Sequence, residues 1–358
     1  MTESHNLDFL RSVAVLLVLV DHLFMAAGLA EQHPWVWDLG HLGVLLFFVH
    51  TSLVLMMSLE RSQGKSGERL FKDFYIRRAF RIYPLSMACV VLMCAFGVPQ
   101  TLGVAPAHRS VAQVVSSFFL VQNLAGQRSV ISPMWSLPLE IQMYLALPFL
   151  FVFARRNNLK RLILVGFAAA AVGLVFDYVL TSFSFRGLGR FDILEYAPCF
   201  IAGVFAYRFS KGRTAVISSW LWPVLLAGVV TIYLTWQALA PGAVNHFVPY
   251  HGWLVCWILG ISIPLFREIH LPWLRVASHY VAKYSYGIYL GQVAALWIGF
   301  SLPPNMGVLR WLASIVLLAC IAVAGYHGIE LRGILLGKAV VDRSKTKSSA
   351  VATLAAGA

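Results

Sequence analysis

Apolar segments of about 16 to 25 residues recur along the whole chain and are separated by polar connections. Runs of this length are able to cross the hydrocarbon core of a bilayer as α-helices. We therefore predict an all-α, polytopic membrane bundle of about ten transmembrane helices, although nine or eleven spans also fit because the fourth segment is short. The predicted spans are residues 10–30, 41–58, 79–98, 139–154, 162–183, 193–209, 215–239, 247–266, 281–300 and 308–329.

Lys and Arg are concentrated in alternate connections. The connections after the second, fourth, sixth and eighth spans are rich in them, and so is the segment after the tenth, whereas the intervening connections hold few. The positive-inside rule then places both termini in the cytoplasm. This distribution also accounts for the net charge of +13 without a nucleic-acid partner, and a hydrophobic content of 59% excludes an ordinary soluble domain.

One connection, from Pro99 to Pro138, is much longer than the others. Its valines and phenylalanines between residues 111 and 119 recur at helical spacing, which predicts a short amphipathic helix that either covers the bundle or folds over a cavity. We expect residues 1–338 to form one membrane domain and residues 339–358 a disordered cytoplasmic tail. The polar, acidic start of the chain predicts no cleavable signal peptide.

The first span contains two ionisable residues of special interest, Arg11 and His22. A separation of eleven residues is three helical turns plus about 20°, so the two side chains share a helix face about 16 Å apart. Ionisable groups inside a membrane helix are costly and are often functional, which makes His22 a candidate base at depth. The alternative is a structural histidine that is hydrogen-bonded across the bundle.

Two further clusters carry polar chemistry. Arg77, Arg78 and Arg81 stand at the start of the third span, where Arg78 and Arg81 share a face and are able to bind phosphate in a bidentate manner. Taken by themselves, these arginines are better explained by anchoring to lipid headgroups.

The second polar cluster begins the fourth span, where Ser136, Glu140 and Tyr144 recur every four residues. That spacing predicts a polar stripe lining a cavity or a partner helix. Trp135 precedes the stripe and also fits an interfacial aromatic belt.

Together these motifs resemble acyltransferase family 3, a family of membrane proteins that O-acylate surface polysaccharides, lipo-oligosaccharides and some antibiotics. The similarity covers nearly the whole chain. Its motifs are LDFLRSVAVLLVLVDH at residues 7–22, GVLLFFV at 43–49, FYIRRAFRIYP at 74–84, WSLPLEIQMYLALP at 135–148 and YSYGIYL at 284–290.

The resemblance implies an enzyme of the bacterial inner membrane that transfers an acyl group, most commonly acetyl, from cytosolic acyl-CoA to a carbohydrate or glycolipid hydroxyl on the outer side. Acyl-CoA is then a co-substrate, and no tightly bound cofactor is expected. His22 is the implied general base, Arg11 binds or polarises the donor, and Glu140 orients a histidine or contacts the acceptor. The implied CoA-phosphate ligands are Arg77, Arg78 and Arg81, and the candidate substrate contacts are Trp135, Ser136 and Tyr144.

The chain departs from the family pattern at two places. His50, Thr51 and Ser52 follow the FFV motif where a Ser-Gly pair is usual, and Gln292 stands near a position where a histidine is common. The side chain of Gln292 is unable to act as an acid or base. Acceptor identity therefore stays open. The sequence also leaves the oligomeric state open and allows two other function classes: a proton-coupled transporter or flippase for an anionic solute or glycolipid, and a scaffolding protein.

Overall fold

The computed structural model describes residues 4–62, 67–104, 108–183, 191–239 and 249–356, and this part of the chain is helical apart from its connections. Parts of the segments considered above lie outside it, namely residues 1–3, 63–66, 105–107, 184–190, 240–248 and 357–358. The helices are α1 (His5–Ala26), α2 (Trp35–Arg61), α3 (Gly67–Ala95), α4 (Val111–Phe118), α5 (Leu137–Arg156), α6 (Leu159–Phe183), α7 (Ile193–Phe209), α8 (Leu221–Leu239), α9 (Pro249–Ser262), α10 (Pro272–Phe300), α11 (Val308–Gly325) and α12 (Leu331–Ala356).

The helices coincide with the predicted apolar segments, since each predicted span overlaps one helix among α1–α3 and α5–α11. Within the described residues, seven helical stretches are both long and apolar enough to cross a membrane. The all-α membrane-type bundle is therefore confirmed, whereas the count of ten spans and the cytoplasmic termini stay predictions.

The first helix packs extensively against both α2 and α10. Small residues allow neighbouring helices to approach each other closely. Gly43 of α2 lies against the carbonyl of Ala14 in α1, and Gly287 of α10 lies against Ala322 in α11. Such small-residue contacts are typical of helix packing in membranes, where van der Waals contact replaces hydrophobic collapse.

A further close crossing joins α2 and α7 at Gly203. A methyl group there would overlap the Ser52 hydroxyl and the Val49 carbonyl oxygen of α2. We expect Gly203→Ala to lower the free energy of unfolding by about 1–3 kcal/mol, because the crossing is forced apart. The matched variant is Gly228→Ala in α8, where nothing lies within 4 Å and alanine favours the helix. Thermal unfolding in detergent measures both, and equal melting temperatures for the two variants would contradict the packing argument.

The long connection contains the predicted amphipathic helix, α4. The hydroxyl of Ser117 in α4 accepts a hydrogen bond from the backbone of Val130 at 3.2 Å. The amide of Gln113 donates to the carbonyl of Ser129 at 3.1 Å. These bonds fix α4 to the segment that leads into α5, so the connection is folded back on itself.

The end of the chain forms a continuation of the bundle. A π-helical turn, Tyr326–Glu330, joins α11 to α12, and α12 packs along α3. The backbone of α12 is helical to Ala356, within the segment for which composition predicts a disordered tail. No Gly or Pro lies between Lys338 and Ala356 to end the helix.

Candidate active site

A polar cavity opens among α1, α2, α3, α5 and α10 and encloses about 750 Å³ of empty space, its mouth included. We call it the arginine cavity, because three guanidinium groups face it inside a helical bundle. The structure brings together six of the residues singled out from the sequence: Arg11, Arg78, Arg81, Ser136, Glu140 and Tyr144.

Arg11 is held in place by α10. Its Nε donates to the hydroxyl of Ser285 at 2.6 Å, and that hydroxyl donates in turn to the carbonyl of Ala282 at 2.8 Å. The serine is thereby oriented with an acceptor lone pair towards the guanidinium. The remaining N–H groups of Arg11 are available to the cavity that it lines.

Arg81 pairs with a carboxylate that sequence reasoning missed. Its Nη2 lies 3.3 Å from Oε1 of Glu330, which is fully buried in the π-helical turn before α12. Single π turns inside helices are frequent at functional sites. In the sequence Glu330 is a lone acid at the end of an apolar segment, and no local pattern connects it with α3.

The stripe at the start of α5 forms a polar wall that contains two hydrogen-bonded groups. The Tyr144 hydroxyl donates to Oε1 of Glu140 at 2.5 Å, as their spacing of four residues allows. The Tyr289 hydroxyl donates to the carbonyl of Pro133 at 2.5 Å. Because that proton is committed, the Ser136 hydroxyl donates to the Tyr289 oxygen at 2.8 Å. Two helices, α5 and α10, therefore share this wall.

The charges of the cavity do not cancel. Glu140 in the wall and Glu330 behind Arg81 offset two of the three guanidinium groups, which leaves one positive charge in excess. An unbalanced cation in a region of low dielectric is costly unless an anion joins it. The arrangement therefore suits an anionic ligand such as a phosphate.

Unlike the other two arginines of its cluster, Arg77 does not line the arginine cavity. Its Nε donates to the carbonyl of Asp73 at 3.1 Å and its Nη2 donates to the hydroxyl of Ser62 at 3.3 Å. Together with Arg78 it borders a smaller neighbouring cavity of about 200 Å³. The side chain of Arg77 thus lines the smaller cavity and not the arginine cavity.

His22 is buried on α1 but is not among the residues that line the arginine cavity. Its Nδ1 lies 2.8 Å from the carbonyl of Val18. A carbonyl only accepts, so Nδ1 carries the proton and Nε2 of the neutral ring keeps its lone pair. Nε2 has no hydrogen-bond partner in the described part of the chain. A neutral imidazole with a free Nε2 has the tautomer that a general base requires.

The structure defines the position of His22 along α1 and its distance from Asp21. The Oδ2 atom of Asp21 is 3.8 Å from Nδ1, which is too long for a hydrogen bond, so the Val18 carbonyl and not the carboxylate orients the ring. The helix ends at Ala26, one turn beyond His22. His22 therefore lies near one end of α1.

Two of the four departures from the family motif fall at the site itself. His50 and Thr51 line the arginine cavity, and Nδ1 of His50 is buried without a hydrogen-bond partner among the described residues. The hydroxyl of Ser52 is bonded to its own helix, at the carbonyl of Phe48. Gln292 is fully buried and donates to the carbonyl of Tyr289 at 3.1 Å. The sequence of α2 alone does not show which of its side chains face the cavity, so it could not assign His50 to the site.

Trp135 faces away from the arginine cavity. Its ring contacts His41 and Tyr196, with centroids 5.8 Å and 5.5 Å away. It borders a second, more open pocket formed by the long connection. Neighbouring residues of the short 3₁₀ helix Ser132–Ser136 thus reach two different pockets.

Comparison with known proteins agrees with these motifs. The peptidoglycan O-acetyltransferase OatA of Listeria monocytogenes is 29% identical over 44% of this chain and 26% of its own length. An O-acetyl transferase of Shigella phage Sf6 is 28% identical over 40% of this chain and 45% of its own. Nodulation protein 10 of Rhizobium leguminosarum bv. viciae is 22% identical over 82% and 85%.

The matches thus cover less than half the length of the first two relatives. No solved structure matches the chain. The family model described as an acyltransferase domain matches residues 4–327, nearly the whole sequence. The chain therefore belongs to this family of membrane acyltransferases, acyltransferase family 3.

Proposed function

We propose that the protein is an O-acyltransferase of the bacterial inner membrane, which moves an acetyl group from cytosolic acetyl-CoA to a hydroxyl of a carbohydrate or glycolipid. The observation that carries the proposal is the convergence of Arg11, Arg78 and Arg81 on one cavity with a positive charge in excess. Two relatives whose names state O-acetyl transfer support the reaction class. The family membership favours transfer over the transporter alternative.

The donor is a co-substrate that enters from the end of α3. Coenzyme A carries several phosphate charges, and the guanidinium forks of Arg78 and Arg81 are suited to hold them. Arg77 borders the smaller cavity beside Arg78 and adds positive charge there. Arg11, fixed by Ser285, then stands deeper in the cavity, where it is able to stabilise the negative charge that develops on the thioester oxygen.

His22 supplies the base in this proposal. Its Nε2 takes the proton of the acceptor hydroxyl while the hydroxyl oxygen attacks the thioester carbonyl. The tetrahedral intermediate collapses as the carbon–sulfur bond breaks, and the thiolate leaves with the proton that the imidazolium returns. The bond from Nδ1 to the Val18 carbonyl stabilises the imidazolium that forms between these steps. The donor thioester and the acceptor both have to approach Nε2.

The remaining predicted residues shape the wall around the donor. Glu140 holds Tyr144 through a short hydrogen bond and adds the negative charge that keeps the three arginines close together. We assign Glu140 to positioning this wall and to contact with the acceptor hydroxyls. Ser136 and Trp135 line the two sides of the segment that leads into α5, where we expect the substrate to bind.

Donor binding gives the first test. We expect acetyl-CoA to raise the melting temperature of the detergent-purified protein. Arg78→Ala should weaken this binding by about 10- to 100-fold, because a charge-assisted hydrogen bond to phosphate contributes about 1.5–3 kcal/mol. Arg156→Ala, an exposed arginine of α5, is the matched control and should bind as the wild type does. Absence of stabilisation in a folded wild-type sample contradicts acetyl-CoA as the donor.

A further inference from the structure

The long connection between α3 and α5 forms a second pocket, which we call the connection pocket, with about 1050 Å³ of empty space including its open side. Its lining differs in kind from that of the arginine cavity. Amide and hydroxyl side chains surround one indole ring, and the charged residues are one exposed arginine and one aspartate of opposite sign. The residues that carry the argument are Gln122, Asn123, Gln127, Ser132, Trp135 and Asp192.

Part of the pocket wall is rigidly built. The Gln122 amide donates to the Ser129 hydroxyl at 3.2 Å and to the carbonyl of Met134 at 2.9 Å. The Asn123 Oδ1 accepts from the amide of Gln142 on α5 at 3.2 Å. These bonds tie the connection to the helix that follows it, so the pocket is formed before any ligand arrives.

Other polar side chains of the pocket have no partner among the described residues. The Trp135 indole N–H, the side-chain amide of Gln127 and the Asp192 carboxylate make no hydrogen bond within this part of the chain. Partial burial raises the pKa of the Asp192 carboxyl to about 6. Because this pKa is still below 7, the carboxylate is the main form at neutral pH and accepts hydrogen bonds. An aromatic face is therefore bordered by a donor, an acceptor and an amide that offers both.

This combination matches a sugar ring. A pyranose has an apolar face of C–H groups that packs on an indole and a rim of hydroxyls that both donate and accept hydrogen bonds. The absence of an excess positive charge among the lining residues favours an uncharged ring over a phosphate, in contrast to the arginine cavity.

The location links the pocket to the reaction. The 3₁₀ helix Ser132–Ser136 borders both spaces, since Trp135 lines the connection pocket and Ser136 the arginine cavity. Resting on the function proposed above, we propose that the connection pocket is the acceptor site and holds a neutral sugar unit on Trp135, with hydrogen bonds from Gln127 and to Asp192. The acceptor then approaches the donor across this one short segment.

The test uses cells in which the gene has been deleted and returned as wild type or as a variant. The readout is acetate released by base from the surface-carbohydrate fraction, combined with acetyl-CoA binding to each purified protein. We expect Gln127→Ala/Asp192→Asn to lower carbohydrate-bound acetate at least 10-fold while the acetyl-CoA Kd changes less than twofold. Trp135→Phe should retain more transfer than Trp135→Ala, because it keeps an aromatic face. Gln32→Ala, an exposed glutamine outside the pocket, is the control.

Each other outcome overturns a defined part of the account. Unchanged acetate in the double variant shows that the pocket does not hold the acceptor. A parallel loss of acetyl-CoA binding shows that the pocket belongs to the donor site instead. If wild-type cells carry acetate on another class of molecule, the carbohydrate assignment fails, and if no acetate depends on the gene, the proposed function itself fails.

Discussion

Replacement of His22 by asparagine is expected to lower acetyl transfer by about 100- to 10,000-fold, the range that a positioned general base contributes. Asparagine is chosen because its amide is able to keep the hydrogen bond to the Val18 carbonyl while it offers no basic nitrogen. The fold and the arginine cavity, which His22 does not line, should be unaffected. Acetyl-CoA binding should therefore persist, and turnover measured as release of free CoA should fall.

The control for this variant is His270→Asn, which changes an exposed histidine in the connection before α10. It should retain wild-type turnover. If His22→Asn is as active as this control, His22 is a structural residue and another group removes the proton. His50, whose ring lines the arginine cavity, would be the next residue to replace.

The second large effect is expected on stability, from the pair of Arg81 and Glu330. Arg81→Ala leaves the fully buried Glu330 carboxylate without its guanidinium partner. Removal of one member of a buried pair costs about 3–5 kcal/mol, and the partial exposure of Arg81 places this case at the lower end. We expect a clear drop in melting temperature. In Arg81→Met/Glu330→Gln the unpaired charge is gone, so much of the loss should be recovered.

Thermal unfolding of Arg81→Met, Glu330→Gln and Arg81→Met/Glu330→Gln in one detergent forms a double-mutant cycle for this pair. Strictly additive losses would show that the two charges do not interact. Both variants at Arg81 should also bind acetyl-CoA less tightly, because that guanidinium faces the cavity. Restored stability together with weak donor binding would separate the two tasks of Arg81.

The fold was accessible from the sequence because membrane insertion leaves a strong one-dimensional signal. Apolar runs of spanning length marked α1–α3 and α5–α11, and the periodic valines of the long connection marked α4. The end of the chain was not accessible in this way. Composition favoured disorder after Lys338, and no apolar run marked the part of α12 that continues to Ala356.

The candidate site was accessible where local spacing decides geometry. A separation of three residues brought Arg78 and Arg81 to one cavity, and a separation of four joined Glu140 to Tyr144. Contacts between distant segments were not accessible. The pairing of Arg81 with Glu330 depends on how α12 packs along α3, and no property of either sequence segment specifies that register.

The measurement that tests the central claim most directly is transfer of radiolabelled acetyl from acetyl-CoA in membranes that contain the wild-type protein or the His22→Asn variant. The account predicts label in the carbohydrate fraction of wild-type membranes and a loss of at least 100-fold in the variant, with acetyl-CoA binding retained in both. Equal labelling by the two proteins would contradict the role of His22. Absence of gene-dependent label from wild-type membranes that bind acetyl-CoA would contradict O-acyl transfer to carbohydrate.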